Sequence, residues 1–100
     1  MALTLRATDA VKSLLRALAA DEARRAVYDA LAERITLIRH DPANRLARGV
    51  ERQMQPSGIM ARASVVFVAE AHESWAVVWT AVADESGEAI SLHHIEQLAD

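Results

Sequence analysis

The chain has 100 residues, 52% of them apolar and 25% charged, which suits one packed domain and is too short for two cores. It has no cysteine, which excludes disulfides, a thiolate nucleophile and any Cys-ligated zinc or iron–sulfur site. Its net charge of −3 hides an asymmetry: residues 1–62 carry all 11 lysines and arginines, and residues 63–100 have acids but no fixed cation, so a surface for a polyanion must be built from the first two-thirds.

Leu3 and Leu5 alternate with Thr4 and Arg6, the pattern of a short strand. No glycine or proline follows until Pro42, so a single long helix has to be weighed. Val11, Leu14, Leu15 and Leu18 recur at the spacing of one helical face, and Val27, Leu31, Ile35 and Ile38 form a second set. At about 100° per residue the second stripe lies roughly opposite the first. One straight helix cannot turn both to one core. Two helices, folded back between Leu18 and Arg24, can. Thr8 or Asp9 is placed to cap the first helix and Asp21 the second, and Pro42 stops the second after Arg39-His40-Asp41.

From Ala43 to Gly58 the chain carries Arg45, Arg48 and Arg52 against Glu51, then a Pro56-Ser57-Gly58 turn. Leu46, Val50 and Met54 lie four apart, so one or two helical turns fit within an otherwise irregular connection. The segment reads either as a solvated loop or as a binding surface formed by Arg45, Arg48 and Arg52.

Beyond Gly58 the period becomes two. Ile59, Ala61, Ala63, Val65, Phe67 and Ala69 share one side, with Arg62 and Ser64 on the other. Ala71-His72-Glu73-Ser74 reads as a turn. Trp75 to Ala83 is apolar on both faces, as in a central strand. Asp84-Glu85-Ser86-Gly87 supplies the next turn, Ala89 to Ile95 the last strand, and Glu96-Gln97-Leu98 a terminal turn. The expected fold is a single α+β domain over residues 1–100: a short N-terminal strand and an antiparallel helical hairpin on a three- to four-stranded, mainly antiparallel sheet.

Strand, helical hairpin, proline, basic segment and three-stranded meander together resemble the RelE/ParE family of toxin–antitoxin toxins. The likeness runs through Leu3 to Val11, Ala26-Val27-Tyr28-Asp29-Ala30-Leu31 and Ile35 to Pro42. It implies a bacterial toxin-like protein silenced by an antitoxin, acting either by messenger RNA cleavage on the ribosome or on a protein target such as gyrase. Metal-independent RNA cleavage needs a base for the 2′-hydroxyl, a cation for the phosphate and an acid for the leaving oxygen. The resemblance puts Arg62 at a basic position on a sheet strand and His93 or His94 at a histidine position on the last strand; Glu51 is a candidate base. The chain departs from the family in having no arginine beyond Arg62 and in carrying Tyr28 within the hairpin. A non-catalytic interaction module on the same fold, a degenerate toxin or a homodimer, is the alternative.

Adjacent strand residues point to opposite faces, so His93 and His94 are not expected to share a site. Structural roles compete with catalysis for both. No recognised metal-ligand spacing joins the histidines to an acid, and no glycine-rich phosphate loop or nucleophile elbow is present, so neither metal nor cofactor is expected. Trp75 and Trp79 share a face and serve either as core or as base-stacking platforms. No apolar run approaches the roughly 20 residues that span a bilayer. The start lacks a basic region followed by an apolar core, so a cytoplasmic location is expected.

Overall fold

A computed structural model describes residues 3–84 and 87–99. Strand β1 (Thr4–Ala7) leads into helix α1 (Asp9–Ala20), a 3-10 turn (Glu22–Arg24) and helix α2 (Arg25–His40). A four-residue helix α3 (Arg45–Arg48) precedes strands β2 (Val50–Gln53), β3 (Met60–Val68), β4 (Glu73–Asp84) and β5 (Gly87–Leu98). The fold is α+β, as the order of stripes and alternating runs predicts. Among the described residues no helix is long and apolar enough to cross a membrane.

The break in the helical region falls where the stripe changes phase. Thr8 caps α1, its Oγ1 accepting from Val11 N at 3.2 Å. Asp21 receives the end of α1 and caps the following 3-10 turn, its Oδ1 accepting from Ala23 N at 3.0 Å. Val27, Leu31, Ile35 and Ile38 of α2 are all buried. In α1, Val11 and Leu18 are buried, while Leu14 and Leu15 are only partly covered. A bidentate pair from Arg24 to Glu73, at 2.9 and 2.6 Å, fastens the start of α2 to the start of β4. Trp75 Nε1 donates to the same carboxylate at 3.1 Å.

The sheet has five strands in the order β1-β5-β4-β3-β2, with β1 parallel to β5 and the other pairs antiparallel. This corrects the expected three or four. The additional strand is β2, within the segment read as irregular. Its four residues are all exposed, so it leaves no alternation of burial for sequence reading to find. The turn read at Ala71–Ser74 lies earlier: a 3-10 turn spans Ala69–Ala71, His72 takes a left-handed conformation, and β4 begins at Glu73. The terminal turn read at Glu96–Leu98 is strand, because β5 pairs with β4 as far as Leu98 opposite Ser74. The hairpin turn expected at Asp84–Gly87 includes Glu85 and Ser86, which lie outside the described residues.

Both long helices cover one face of the sheet. Val66, Val68, Trp75, Val77, Trp79, Ile90, Leu92 and Ile95 form the core with them. Trp75 and Trp79 are therefore core residues and present no stacking surface; Trp79 Nε1 donates to Ala47 O at 2.8 Å, which holds α3 down. β4 is central and apolar on both sides, as its sequence predicts. The run Ala61, Ala63, Val65 and Phe67 does share a face, but it is the helix-free one. Ala61 and Ala63 pack there with Val78 and Met54, while Val65 and Phe67 are exposed.

Candidate functional site

The sheet divides the chemistry-bearing side chains between its two faces. On the helix side, α3 is fixed to β3 by a compact polar knot. Arg34 Nη1 lies 3.2 Å from Leu46 O, 3.0 Å from Ser64 Oγ and 2.8 Å from Val65 O. The buried Ser64 hydroxyl in turn donates to Leu46 O at 2.5 Å. Burial lowers the Arg34 guanidinium below its ordinary value, since little water remains to solvate the charge.

This knot sets up a basic groove. Asn44, Arg45, Leu46, Arg48, Gly49 and Arg62 line an open cavity of about 740 Å³. Asn44 caps α3 through its side chain. Gly49 then turns the chain with φ +53°, so close to β3 that a Cβ would stand 1.9 Å from Ala63 O. Only glycine fits that approach. Arg45 and Arg48 are exposed and form no ion pair among the described residues. Arg62 is more enclosed and lies 3.5 Å from Glu51, its cross-strand partner.

The helix-free face carries the second grouping. Val78 pairs with His94 but Trp79 pairs with Leu92, so His93 is an extra residue in β5. This β-bulge sets two residues of one strand against one of the next. Leu92 and Ile95 both stay in the core beneath the helices, and His93 and His94 between them both turn to the open face. The expectation that neighbouring histidines must face apart is overturned by the bulge. Both line a cleft of about 370 Å³ with Val78, Arg52, Gln53, Met54 and Gln55.

Each imidazole has a partner. His93 Nε2 lies 2.7 Å from Thr80 Oγ1, and His94 Nε2 lies 3.4 Å from Glu96 Oε2. Glu96 also pairs with Arg52. The Arg52 guanidinium holds the Glu96 carboxyl below its usual range, against a smaller opposing effect of burial. Strands β2 and β5 stand three positions apart in the sheet, a separation of about 14 Å if it were flat. The Arg52 and Glu96 side chains reach toward each other across that gap.

The seven residues singled out from the sequence thus fall into two sites. Arg45, Arg48, Arg62 and Glu51 gather on the helix side beside α3, whereas Arg52, His93 and His94 gather on the open face. Glu51 and Arg62 do not join the histidines. Sequence reading missed Thr80, Glu96, Gln53 and Gln55 on the open face, and Arg34 behind the basic groove. A signal for the bulge was present: Ile90 and Leu92 are two apart, but Leu92 and Ile95 are three apart. Among the described residues no group of three or more His, Asp or Glu side chains has a metal-holding arrangement.

The chain matches no family model, and the comparisons with curated proteins and solved structures found no match.

Proposed function

We propose that this protein is a toxin-like component of a toxin–antitoxin pair in the bacterial cytoplasm, neutralised by an antitoxin protein. In this reading it acts by messenger RNA cleavage or on a protein target such as gyrase. The observation that carries it is the basic groove: Arg45, Arg48 and Arg62 surround one open cavity in a chain whose net charge is −3. Their planar guanidinium groups suit carboxylates of an antitoxin or phosphates of a target, which they bind through paired hydrogen bonds. The element order of strand, helical hairpin and antiparallel meander agrees with the same reading.

The separation of Glu51 and Arg62 from His93 and His94 bears on the mode of action. A base, a cation and an acid drawn from all four cannot meet at one phosphate across the sheet. Binding through the groove is better supported than cleavage by that set. The second reading, a non-catalytic interaction module, rests on this same split.

The test is growth after induced expression, with and without the product of the adjacent gene. Growth arrest relieved by the neighbour supports the toxin reading. Arg45→Glu with Arg48→Glu should then abolish arrest, or the relief of it, while the thermal transition stays within a few degrees because both residues are exposed. Unimpaired growth with the wild-type chain would leave the interaction module as the standing reading.

A further inference from the structure

The outer edge of β3 is only half covered. β2 pairs with Met60 to Ala63 and goes no further. At Gly49 the chain turns away into α3, so nothing continues β2 alongside Val65 and Phe67. In an antiparallel ladder each residue turns its N–H and C=O to the same neighbour, alternately along the strand. Val65 O accepts from Arg34, and Ala63 O faces Gly49, so the odd-numbered residues of β3 point outward. Phe67 therefore directs both backbone groups to the open edge, where no partner is found among the described residues.

Natural edges are usually blunted by charge, proline or a bulge. Past the contact of the Arg34 guanidinium with Val65 O, this one is lined by exposed apolar side chains. Phe67 is 63% exposed, Leu46 61% and Val65 44%. Beside the edge runs a groove of about 530 Å³ in which Leu46, Val66 and Phe67 face Glu33, Arg34 and His40 of α2. Its ends carry opposite charge. Arg45 and Arg48 stand at the α3 end; Glu33 and Glu70 stand at the other, where β3 passes into its 3-10 turn.

We propose that this edge is a strand-addition site for an extended segment of another protein, which continues β2 along β3 from Val65 to Phe67. The segment runs antiparallel to β3, as β2 does. It carries alternating apolar side chains, a basic residue near its start for Glu33 and Glu70, and an acidic residue near its end for Arg45 and Arg48. Main-chain hydrogen bonds and the exposed apolar side chains supply affinity, and the charged ends supply direction. The site goes beyond the arginine groove, and it stands whether or not the chain arrests growth.

The probe is a blocked synthetic peptide, Lys-Val-Thr-Val-Thr-Val-Asp, with its charge-exchanged counterpart, Asp-Val-Thr-Val-Thr-Val-Lys, as control. Amide hydrogen exchange of the full chain reads the site directly. The first peptide should slow exchange at Val65 and Phe67 saturably, and the second should bind about tenfold more weakly. Phe67→Pro removes an outward donor without touching the β4 ladder and should abolish binding. Val65→Lys, which blunts the edge and leaves the backbone intact, should weaken it and serves where the proline variant fails to fold. Failure of both peptides to protect these amides overturns the proposal, as does equal affinity for the two. Protection in the free chain that is lost on dilution also overturns it, since the occupant would then be a second copy.

Discussion

The two faces of the sheet obey different rules. The helix-covered face is filled by large apolar side chains at regular intervals, Val66, Val68, Trp75, Val77, Trp79, Ile90 and Leu92, which form one core with the stripes of α1 and α2. On the open face only Ala61, Ala63 and Val78 form a small buried cluster among the described residues, and imidazole, hydroxyl, carboxylate and guanidinium groups share that face with the exposed Val65 and Phe67. The first face supplies stability through buried area; the second presents groups to solvent on a surface that the first holds rigid. Polar chemistry collects where burial makes the weaker demand.

Leu31 offers the sharpest contrast. It is fully buried between α2 and the sheet. Leu31→Asp should unfold the domain, because an unpaired buried charge costs several kcal/mol against a total of about 5–15 kcal/mol. Leu15→Asp should cost less, since Leu15 is only partly covered. Phe67→Ser on the exposed side should shift stability by no more than about 0.5 kcal/mol. Chemical denaturation of the three variants orders them, and a Phe67→Ser loss comparable to that of Leu31→Asp would erase the distinction between the faces.

The covered face is the one that sequence reading recovers. Helical spacing of Val27, Leu31, Ile35 and Ile38 places α2, and the reversal of phase after Leu18 places the hairpin break. Both features follow from burial, which leaves a period in the sequence. β2 escapes because all four of its residues are exposed and nothing selects for alternation there. The open-face site escapes for a different reason: its geometry depends on one extra residue in β5, and strict alternation misassigns every side chain beyond such a point. The grouping of Arg45, Arg48 and Arg62 is legible as a basic segment. Its separation from the histidines depends on which way β3 faces, and there the apolar run Ala61, Ala63, Val65 and Phe67 misleads, because the core takes Ser64, Val66 and Val68 instead.

Paired deletions test the bulge. Removing His93 leaves Leu92, His94 and Ile95 opposite Trp79, Val78 and Val77 in unbroken register. That variant should fold, keep its core phase and lose the contact with Thr80. Removing Ala76 instead puts Trp75 and Val77 out of phase, since a one-residue slip sends a strand's side chains to the other face. That variant should fail to fold. Circular dichroism and thermal melting distinguish the outcomes. Two equally unfolded deletions would mean that the bulge is required for folding as well as for presenting the histidines.

The smallest effect concerns the strap across the open face, where Arg52 meets Glu96. The pairing lowers the Glu96 carboxyl below its ordinary range, chiefly through the hydrogen bond from Arg52, with His94 adding to the effect. A carboxyl depressed in the folded state stabilises it fully above its unfolded value of about 4.3. That stabilisation is lost as the pH falls through the folded value. The two side chains are 43% and 29% exposed, so screening limits the pair to about 0.2–1 kcal/mol, roughly 1–8 °C in a domain of this size. Glu96→Gln should therefore melt below the wild type near neutral pH. The gap should shrink as the pH falls below the ordinary carboxylate range, and it should narrow in high salt because exposed charges are screened. Melting curves across that range decide the matter: a gap that is absent at neutral pH, or that widens on acidification, would mean that Arg52 lies beside Glu96 without strapping the open face.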